Sequence, residues 1–225
     1  MNKKIILYDD NVGFVEYVNH MGSDLTVVNS ARVSFGKQKT ELDENDEKLI
    51  NYLIKSGHTS TLEHNVVTFR FKVPLFVARQ HIRHRTWSYN EISRRYTNIN
   101  LEFYEPKVFR KQSSSNRQAS TNEDVEQSDV LAQIVTEHHH QSLTLYNQLL
   151  QAGVCREQAR GVLPQNLYTE YYGTANLNNL FKFIDLRLHE GAQWETQQVA
   201  KAILDIVTEL FPTTIGAYRK IHQIS

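Results

Sequence analysis

The most constraining feature of the sequence is a basic segment at residues 79–96. It holds five arginines and two histidines within eighteen residues, and Glu91 is its only acid. Because so many like charges cannot be buried together without partners, this segment has to lie at a surface or line a polar pocket. The whole chain has 25 basic and 25 acidic residues, so its formal net charge is zero. The basic site is therefore local, unlike the overall positive charge typical of DNA-binding proteins.

Length and composition describe an ordinary globular protein. With 225 residues, of which 40% are hydrophobic and 22% charged, the chain suits one domain, and we expect a single domain over residues 1–225. No apolar run reaches the roughly 20 residues of a membrane span, and the apolar stretch after Lys4 is too short for a signal peptide. Cys155 is the only cysteine, so we expect no intramolecular disulfide and a cytoplasmic protein.

Hydrophobic periodicity, capping residues and prolines predict the elements of the chain. Pro74 is placed to begin a helix, and Pro164 and Pro212 follow the ends of two others. The predicted strands are residues 5–8 and 65–73, and the predicted helices are 25–33, 44–55, 74–85, 130–152, 156–163, 178–189, 193–210 and a short tail. We therefore predict an α+β fold that is predominantly helical, with a small sheet.

A long polar segment lies in the middle of the chain. Residues 111–129 are rich in Ser, Gln and Asn and almost free of large apolar side chains. Loops of this length are mostly functional or mobile, so we predict a long polar loop here. Arg110, Gln112 and Arg117 suit a lid over a phosphate group.

The basic segment has the donors that a nucleotide requires. On the predicted helix, Gln80, Arg83 and His84 are three and four residues apart and share a face, opposite Ala78 and Ile82, which we expect to be buried. Forked guanidinium groups bind phosphate, and the interleaved amide and carboxylate groups suit a base and a ribose. The alternative is a solvated basic face with surface ion pairs.

Arg187 interrupts an apolar stripe on the predicted helix over residues 178–189. It lies three residues after Ile184 and seven after Leu180, in the middle of that stripe. A buried unpaired guanidinium is costly, so Arg187 must meet a carboxylate, a carbonyl-rich ligand or an open pocket. A structural salt bridge is the simpler alternative.

The other candidate motifs carry less chemistry. His138, His139 and His140 are consecutive on a predicted helix, so they point in different directions, and we expect them to be solvent-exposed rather than metal ligands. Cys155 is expected to be an ordinary half-buried thiol. The sequence has neither a glycine-rich phosphate loop nor a dinucleotide fingerprint.

The basic segment also carries a long motif, which begins with the triplet Arg83, His84 and Arg85. At fixed spacing there follow Ser88, Asn90, Glu91, Ser93, Arg95 and Tyr96. This pattern resembles the signature of the flavin-dependent thymidylate synthases, an R-H-R triplet followed by S-x-N-E-x-S-x-R-Y. The resemblance continues through residues 31–34, 58–64, 102–104, 110–118, 156–164 and 186–195. It therefore covers nearly the whole chain.

The resemblance implies an α+β homotetramer whose subunits share each active site. In it, Arg187 matches the arginine that polarises the uracil ring of dUMP, and His58 matches a histidine on the folate side of the site. The residues implied for FAD are Ser60, Arg83, His84, Arg85, Thr86, Glu91, Asn176 and Asn178. Those implied for dUMP are Gln80, Arg83, Glu91, Ile92, Ser93, Arg94, Arg95, Arg160 and Arg187. Lys182 and Gly191 depart from some relatives, so flavin contacts there are left unassigned.

The implied reaction is the reductive methylation of dUMP to dTMP, with methylenetetrahydrofolate as the carbon donor, FAD as the cofactor and NADPH as the reductant. C5 of uracil is a poor nucleophile, and the better-known thymidylate synthase activates it by adding a cysteine to C6. Cys155 lies outside every matched functional position, so we expect no cysteine nucleophile. Instead, Arg187 is expected to stabilise negative charge on the N3–O4 side of the ring.

Two other functions are consistent with parts of the sequence. Trp87, Tyr89 and Tyr96 among the arginines suit a single-stranded nucleic-acid or nucleotide-binding module, although the zero net charge argues against it. The ten histidines suggest a metal-dependent hydrolase, which a chelator would inactivate. Our expectation is an enzyme with neither a metal nor a nucleic-acid partner.

Overall fold

The chain folds around an antiparallel sheet, which the computed structural model describes for residues 3–224. The strands are β1 (Lys4–Ile6), β2 (Phe14–Met21), β3 (Val66–Pro74), β4 (Ser88–Glu91), β5 (Arg110–Gln112), β6 (Ser120–Asp124) and β7 (Tyr168–Asn176). Five of them form the main sheet in the order β1, β2, β3, β7, β4, while β5 and β6 form a separate hairpin.

Eight α-helices complete the described part of the chain. They are α1 (Asp24–Arg32), α2 (Glu44–Lys55), α3 (Leu75–His81), α4 (Ser128–Gln151), α5 (Arg156–Ala159), α6 (Leu177–Leu188), α7 (Trp194–Leu210) and α8 (Pro212–His222). Short 3-10 turns lie at Val33–Phe35, Thr59–Leu62 and Arg160–Val162. None of the helices within residues 3–224 is long and apolar enough to cross a membrane.

The alternating pattern of β3 is confirmed. Val67, Phe69, Phe71 and Val73 are fully buried on one face of the sheet, and each such side chain contributes about 1.5–3 kcal/mol by leaving water. The residues between them are only partly buried. On that second face Arg70 lies between Glu16 and Glu170 of the neighbouring strands, so opposite charges pair across the sheet.

Helices α6 and α7 pack against the sheet, and α8 packs against α7 and α2. Leu180, Ile184, Ile203, Val207 and Ile215 are fully buried between these layers. The buried apolar side chains of the helices and the sheet form one continuous core, so the described residues make a single α+β domain, as predicted. Met1, Asn2 and Ser225, which the predicted domain includes, lie outside the described residues.

Strands β2, β4 and β7 do not follow from the sequence patterns. In β7 the apolar alternation is broken by Thr, Glu and Asn residues, yet it pairs with β3 on one side and β4 on the other. In β2 the pairing register shifts between Tyr17 and Asn19. Pairing with a central neighbour therefore outweighs a weak local pattern in these strands.

The prediction of a long polar loop over residues 111–129 is wrong in part. β5 and β6 form a hairpin within it, and α4 begins at Ser128. Polar side chains do not prevent this pairing because the hydrogen bonds are made by the backbone. An ion pair across the hairpin, 3.0 Å from Lys111 Nζ to Glu123 Oε2, adds an attraction between opposite charges.

Helix lengths differ from the predictions mainly around the basic segment. α3 ends at His81 rather than residue 85, and Ile82 is exposed instead of buried. The predicted helix over 156–163 is divided into α5 and a 3-10 turn. α2 has the predicted bounds, and the predicted tail is the full helix α8.

Two expectations about single residues are also wrong. His139 is buried: its Nδ1 lies 2.9 Å from Glu105 Oε1 and its ring stacks on Phe103. Cys155 is exposed rather than half-buried, because it caps the short helix α5 at the surface. Periodicity within α4 cannot reveal that the loop around residues 103–105 covers His139.

Candidate functional site

The centre of the site is the turn that connects α3 to β4. Thr86 adopts a positive φ of 64°, which few residues other than glycine tolerate, and so reverses the chain within residues 82–87. The turn leaves Arg83 and Arg85 exposed and directs the half-buried His84 towards the end of α6. The same reversal separates Arg83 from the helical face predicted for it.

Arg187, in the last turn of α6, donates three hydrogen bonds to residues of α3 and of this turn. Its Nε donates to His84 Nε2 at 3.0 Å, its Nη1 to Gln80 Oε1 at 3.2 Å, and its Nη2 to the Gln80 main-chain oxygen at 3.0 Å. All three acceptors are neutral groups. The alternative of a structural salt bridge therefore finds no acidic partner for Arg187 among residues 3–224, and its role towards a ligand stays a prediction.

Burial lowers the pKa values of both Arg187 and His84. Arg187 still remains a cation because arginine titrates far above neutral pH. Burial first, and the charge of Arg187 second, lower the pKa of His84 to about 4. His84 is therefore neutral at pH 7 and accepts a hydrogen bond at Nε2. The positive charge of Arg187 is thus available to a ligand.

Aromatic side chains form an apolar wall behind this pair. The ring of Phe183 lies 4.8 Å from that of His84, and Trp87 stacks against Tyr89. His81 is fully buried against these rings, and its Nδ1 lies 2.8 Å from the Tyr171 hydroxyl. Electrostatic interactions are stronger beside such a wall than in water.

Residues 91–95 extend from β4 along the edge of β7. The Glu91 carboxylate accepts a hydrogen bond from the Thr169 hydroxyl, and the Ile92 amide donates to the Glu170 main-chain oxygen at 2.9 Å. Ser93 accepts from the Arg95 amide at 3.3 Å. These contacts fix the backbone of the segment and leave most of the Ser93 hydrogen-bonding capacity free for a ligand.

Arg95 contacts Glu157, which lies three residues before Arg160 in the chain. Arg95 Nε lies 3.6 Å from Glu157 Oε2, and Arg160 follows Glu157 by three residues on the next turn. Both arginines are exposed. Exposed guanidinium groups without a close ion pair suit a phosphate.

Arg94 behaves differently from its neighbour. Its guanidinium donates to three main-chain oxygens, those of Ile99, Asn100 and Tyr168, at 2.6, 3.2 and 3.3 Å. These bonds direct Arg94 away from Arg95 and hold the following loop to β7. The expectation that Arg94 binds the phosphate of dUMP therefore finds no support in this arrangement.

A second group of candidate residues lies at the opposite end of α6. Asn176 caps the helix by accepting from the Asn179 amide at 3.0 Å, and Asn178 donates to Glu63 Oε1 at 2.7 Å. Ser60 is exposed in the adjacent 3-10 turn. Since Asn178 and Arg187 are nine residues apart, the two groups are separated by about 13 Å along the helix.

His58 borders an open cavity of about 600 Å³ beside this second group. Its ring meets that of Tyr52 edge-on at 5.7 Å. The residues that line this cavity include Ala31, Phe35, Tyr52, His58 and Ser60. Another cavity, of about 480 Å³, lies between the β5–β6 hairpin and residues 189–192, close to the end of α6.

Within residues 3–224 no cluster of three or more His, Cys, Asp or Glu side chains is placed to hold a metal ion.

Known proteins resemble this chain in both sequence and fold. The family described as "Thymidylate synthase complementing protein" (Thy1) matches residues 16–213. A flavin-dependent thymidylate synthase of Thermus thermophilus is 47% identical over 208 residues, which are 92% of this chain and 76% of that protein. One of Thermotoga neapolitana is 45% identical over 208 residues, covering 92% and 91% of the two chains. The chain belongs to the flavin-dependent thymidylate synthase family.

A solved structure agrees with this membership. A UMP/dUMP methylase, PolB, from Streptomyces cacaoi, crystallised with 5-Br dUMP, superposes with a TM-score of 0.84. It is 32% identical to this chain, and the alignment covers 94% of this chain and 96% of that one. The predicted family is thus confirmed, and the comparisons give no support to a nucleic-acid-binding module.

In this flavin-dependent thymidylate synthase the predicted residues do not all meet within one chain. Gln80, His84 and Arg187 are in direct contact, whereas Ser60, Asn176 and Asn178 lie at the far end of α6. Gln193 and Thr196 both contact Gln80, although no role was predicted for residues 193–196. Glu195, two residues after Gln193 in the first turn of α7, is buried, and no sequence pattern reports this burial.

Proposed function

We propose that this protein converts dUMP to dTMP by reductive methylation. Methylenetetrahydrofolate is the carbon donor, FAD is the cofactor and NADPH the reductant. The observation that carries the proposal is Arg187, a half-buried guanidinium whose three hydrogen-bond acceptors are all neutral. The single cysteine and the folate and nicotinamide co-substrates favour the cytoplasm as its compartment.

For dUMP, we assign the phosphate to Arg95, Arg160 and Ser93. The exposed positions of the two arginines around Glu157 support this assignment. Arg94 holds the adjacent loop and acts by positioning Arg95. The residues that we propose to contact the rest of dUMP are Gln80, Arg83, Glu91, Ile92 and Arg187.

For FAD, the donors present fit the group. Arg83 and Arg85 are exposed guanidinium groups on one turn, which suits a pyrophosphate; His84 lies between them in the sequence, and Thr86 directly follows Arg85. The apolar cavity beside His58 and Ser60 is large enough for a heteroaromatic ring. The residues that we propose for FAD are Ser60, Arg83, His84, Arg85, Thr86, Glu91, Asn176 and Asn178, with His58 on the folate side. When bound and reduced by NADPH, the flavin would supply the hydride that completes the methyl group.

Arg187 would make the pyrimidine reactive. As C5 of uracil attacks the carbon donor, negative charge on the N3–O4 side is stabilised by the guanidinium. Because Arg187 is not paired with a carboxylate, its charge is not neutralised before the substrate arrives. The apolar wall formed by Trp87 and Phe183 strengthens this interaction by excluding water.

Cys155 is poorly placed for the alternative, covalent route. It is exposed at the start of α5, and its Sγ donates weakly to Gln158 Oε1 at 3.5 Å. Neither Arg187 nor His84 contacts it. We therefore assign it no part in the chemistry.

We also propose that the enzyme is a homotetramer whose subunits complete each other's sites. The separation of Arg187 from Asn178 within one chain supports this proposal, since both are assigned to one active site. So does the long helix α4, on which Val130, Leu131, Ile134 and Leu145 are exposed.

The test is a spectrum and an assay of the purified protein. We expect a yellow protein that absorbs as oxidised flavin and forms dTMP only when dUMP, methylenetetrahydrofolate and NADPH are all present. A protein that stays colourless when incubated with FAD, or forms dTMP without it, contradicts the proposal. Retained activity in the presence of a strong chelator separates this function from a metal-dependent hydrolase.

A further inference from the structure

A series of side-chain hydrogen bonds connects Arg187 to a buried carboxylate at the start of α7. Gln80 Oε1 accepts from Arg187 Nη1 at 3.2 Å, and Gln80 Nε2 donates to Gln193 Oε1. Gln193 Nε2 in turn donates to Glu195 Oε2 at 3.0 Å. We refer to the series Arg187, Gln80, Gln193, Glu195 as the amide chain.

Glu195 is the fixed end of the amide chain. It is buried, and its Oε1 accepts from Arg110 Nη2 at 2.7 Å and from the Tyr104 hydroxyl at 3.2 Å. Together with Gln193 on the other oxygen, all of its neighbours are donors. This is the hydrogen-bond pattern of an ionised carboxylate, which has acceptors only.

The two ends of the amide chain determine which way both amides point. Arg187 has only donors and the Glu195 carboxylate only acceptors, whereas each amide has one donor end and one acceptor end. The NH2 group of Gln193 therefore faces Glu195 and its carbonyl faces Gln80. The NH2 group of Gln80 then faces Gln193, which leaves its carbonyl to Arg187. Thr196 Oγ1 donates to the same Gln80 oxygen at 3.3 Å, in agreement with this direction.

We propose that Glu195 is a positioning residue for Arg187, acting through Gln193 and Gln80. The proposal rests on the function assigned above to Arg187 and names the residues that maintain it. The negative charge of Glu195 keeps a carbonyl in front of Arg187, so the guanidinium has one orientation before the substrate binds. A group held in this way loses little to reorganisation during the reaction.

The variant Glu195→Gln tests this because it keeps the size of the side chain and removes its charge. Arg110 and Tyr104 are both donors, so the oxygen of the new amide is expected to face them and its NH2 group to face Gln193. Gln193 and then Gln80 turn over in response, and Arg187 meets an NH2 group. We expect about a tenfold lower kcat, with a smaller change in KM for dUMP. A crystal structure of the variant should show Arg187 Nη1 displaced from the Gln80 side chain.

The double variant Gln193→Glu with Glu195→Gln is the matched rescue. It has the composition and charge of the parent, but the carboxylate is moved by two residues. From position 193 the carboxylate accepts from Gln80 and from the new amide at 195, so the Gln80 carbonyl again faces Arg187. We expect kcat within about threefold of the parent. If Glu195 were needed only for folding, the double variant would be no more active than Glu195→Gln.

Two further variants complete the design. Tyr104→Phe removes one donor from Glu195 but leaves its charge and its bond to Gln193, so the parent kcat is expected. Gln193→Leu keeps the ion pair of Glu195 with Arg110 and is used if Glu195→Gln does not fold. It removes the acceptor of the Gln80 NH2 group, and we expect about threefold lower kcat. A parent-like kcat in Gln193→Leu contradicts the proposal.

The outcomes separate this proposal from the proposed function. The proposal is overturned if Arg187 keeps its contact with the Gln80 side chain in Glu195→Gln and kcat is unchanged. It is also overturned if the double variant recovers no activity. A displaced Arg187 with unchanged kcat upholds the amide chain and instead refutes the catalytic role of Arg187. A displaced Arg187, a lower kcat and recovery of both in the double variant support the two proposals together.

Discussion

At the scale of single residues, the site depends on which charged groups are paired and which are not. Arg110 is paired with Glu195 and Arg70 with Glu170, whereas Arg187 has neutral acceptors. Pairing stabilises the fold, and the lack of it leaves a charge available for binding. We therefore propose Arg187 as the guanidinium that acts on the pyrimidine of the substrate.

The pH dependence of stability tests the environment of His84. Its pKa in the folded protein, about 4, lies below the ordinary value near 6.5, so between these pH values the unfolded chain binds more protons. The contribution of His84 is full above about pH 6.5 and is lost as the pH falls through about 4. In His84→Gln we expect the loss of unfolding free energy between pH 7.5 and 4.5 to be about 1 kcal/mol smaller than in the parent, because the ring is only half-buried.

Urea denaturation at the two pH values measures this difference. His138→Gln is the control, since it makes the same substitution at an exposed histidine on α4, away from Arg187. If His84→Gln loses as much stability on acidification as the parent does, His84 is not held neutral in the way described.

The sequence predicts Arg187 better than it predicts its partners. Helical periodicity alone places Arg187 within an apolar stripe, so its unusual environment could be deduced. Its contact with His84 depends on α3 ending at His81 and on the turn at Thr86, which periodicity does not reveal. The part of Glu195 could not be deduced at all, because its partners come from three separate segments of the chain.

At the scale of elements, the β5–β6 hairpin is connected to the core by one buried ion pair. Arg110 reaches Glu195, whose side chain is 5% exposed, whereas the adjacent Lys111 pairs with Glu123 at the surface. Removing one partner of a buried pair leaves an uncompensated charge, so we expect Arg110→Met to lower the unfolding free energy by about 3 kcal/mol. Lys111→Met removes the same charge from an exposed pair and should cost less than about 1 kcal/mol. Equal losses in chemical denaturation would contradict this account of the hairpin.

The packing of β7 against β3 is tested at Gly173. A Cβ atom there would lie 2.8 Å from Phe71 Cε2 and 3.6 Å from Trp87 Cε3, so Gly173→Ala must displace core side chains. We expect a loss of about 2 kcal/mol, measured by thermal or urea unfolding. At Gly216, within α8, a Cβ atom meets nothing within 4 Å, and Gly216→Ala should stabilise the helix by about 0.5–1 kcal/mol. A neutral Gly173→Ala would show that the sheet packs differently.

Helices were easier to predict than strands. α2 has an N-cap at Asp43 and a glycine after its last turn, so local signals mark both ends. β4 and β7 acquire their structure from pairing with each other and with β3, and their own sequences mix polar and apolar residues. The polar segment over residues 111–129 illustrates the same limit, since composition does not report backbone pairing.

At the scale of the whole molecule, we propose that assembly of subunits brings the two ends of α6 to one site. We expect the parent to sediment as a tetramer and Ile134→Glu, on the exposed face of α4, to give smaller species that retain less FAD. Gln133→Glu places the same charge on the neighbouring exposed residue and should remain tetrameric. Sedimentation velocity and the flavin absorbance of the same samples check both results. A monomeric parent that is fully active contradicts a shared site.

The central claim is that a guanidinium, and no sulfur, makes the pyrimidine reactive. Its most direct test is the rate of dTMP formation by Arg187→Ala, compared with Cys155→Ala, at saturating FAD and co-substrates. We predict that Arg187→Ala keeps its fold and its flavin spectrum but loses about 10²–10³-fold in rate, while Cys155→Ala remains within about twofold of the parent. Near-normal turnover by Arg187→Ala, or an inactive Cys155→Ala, would contradict it.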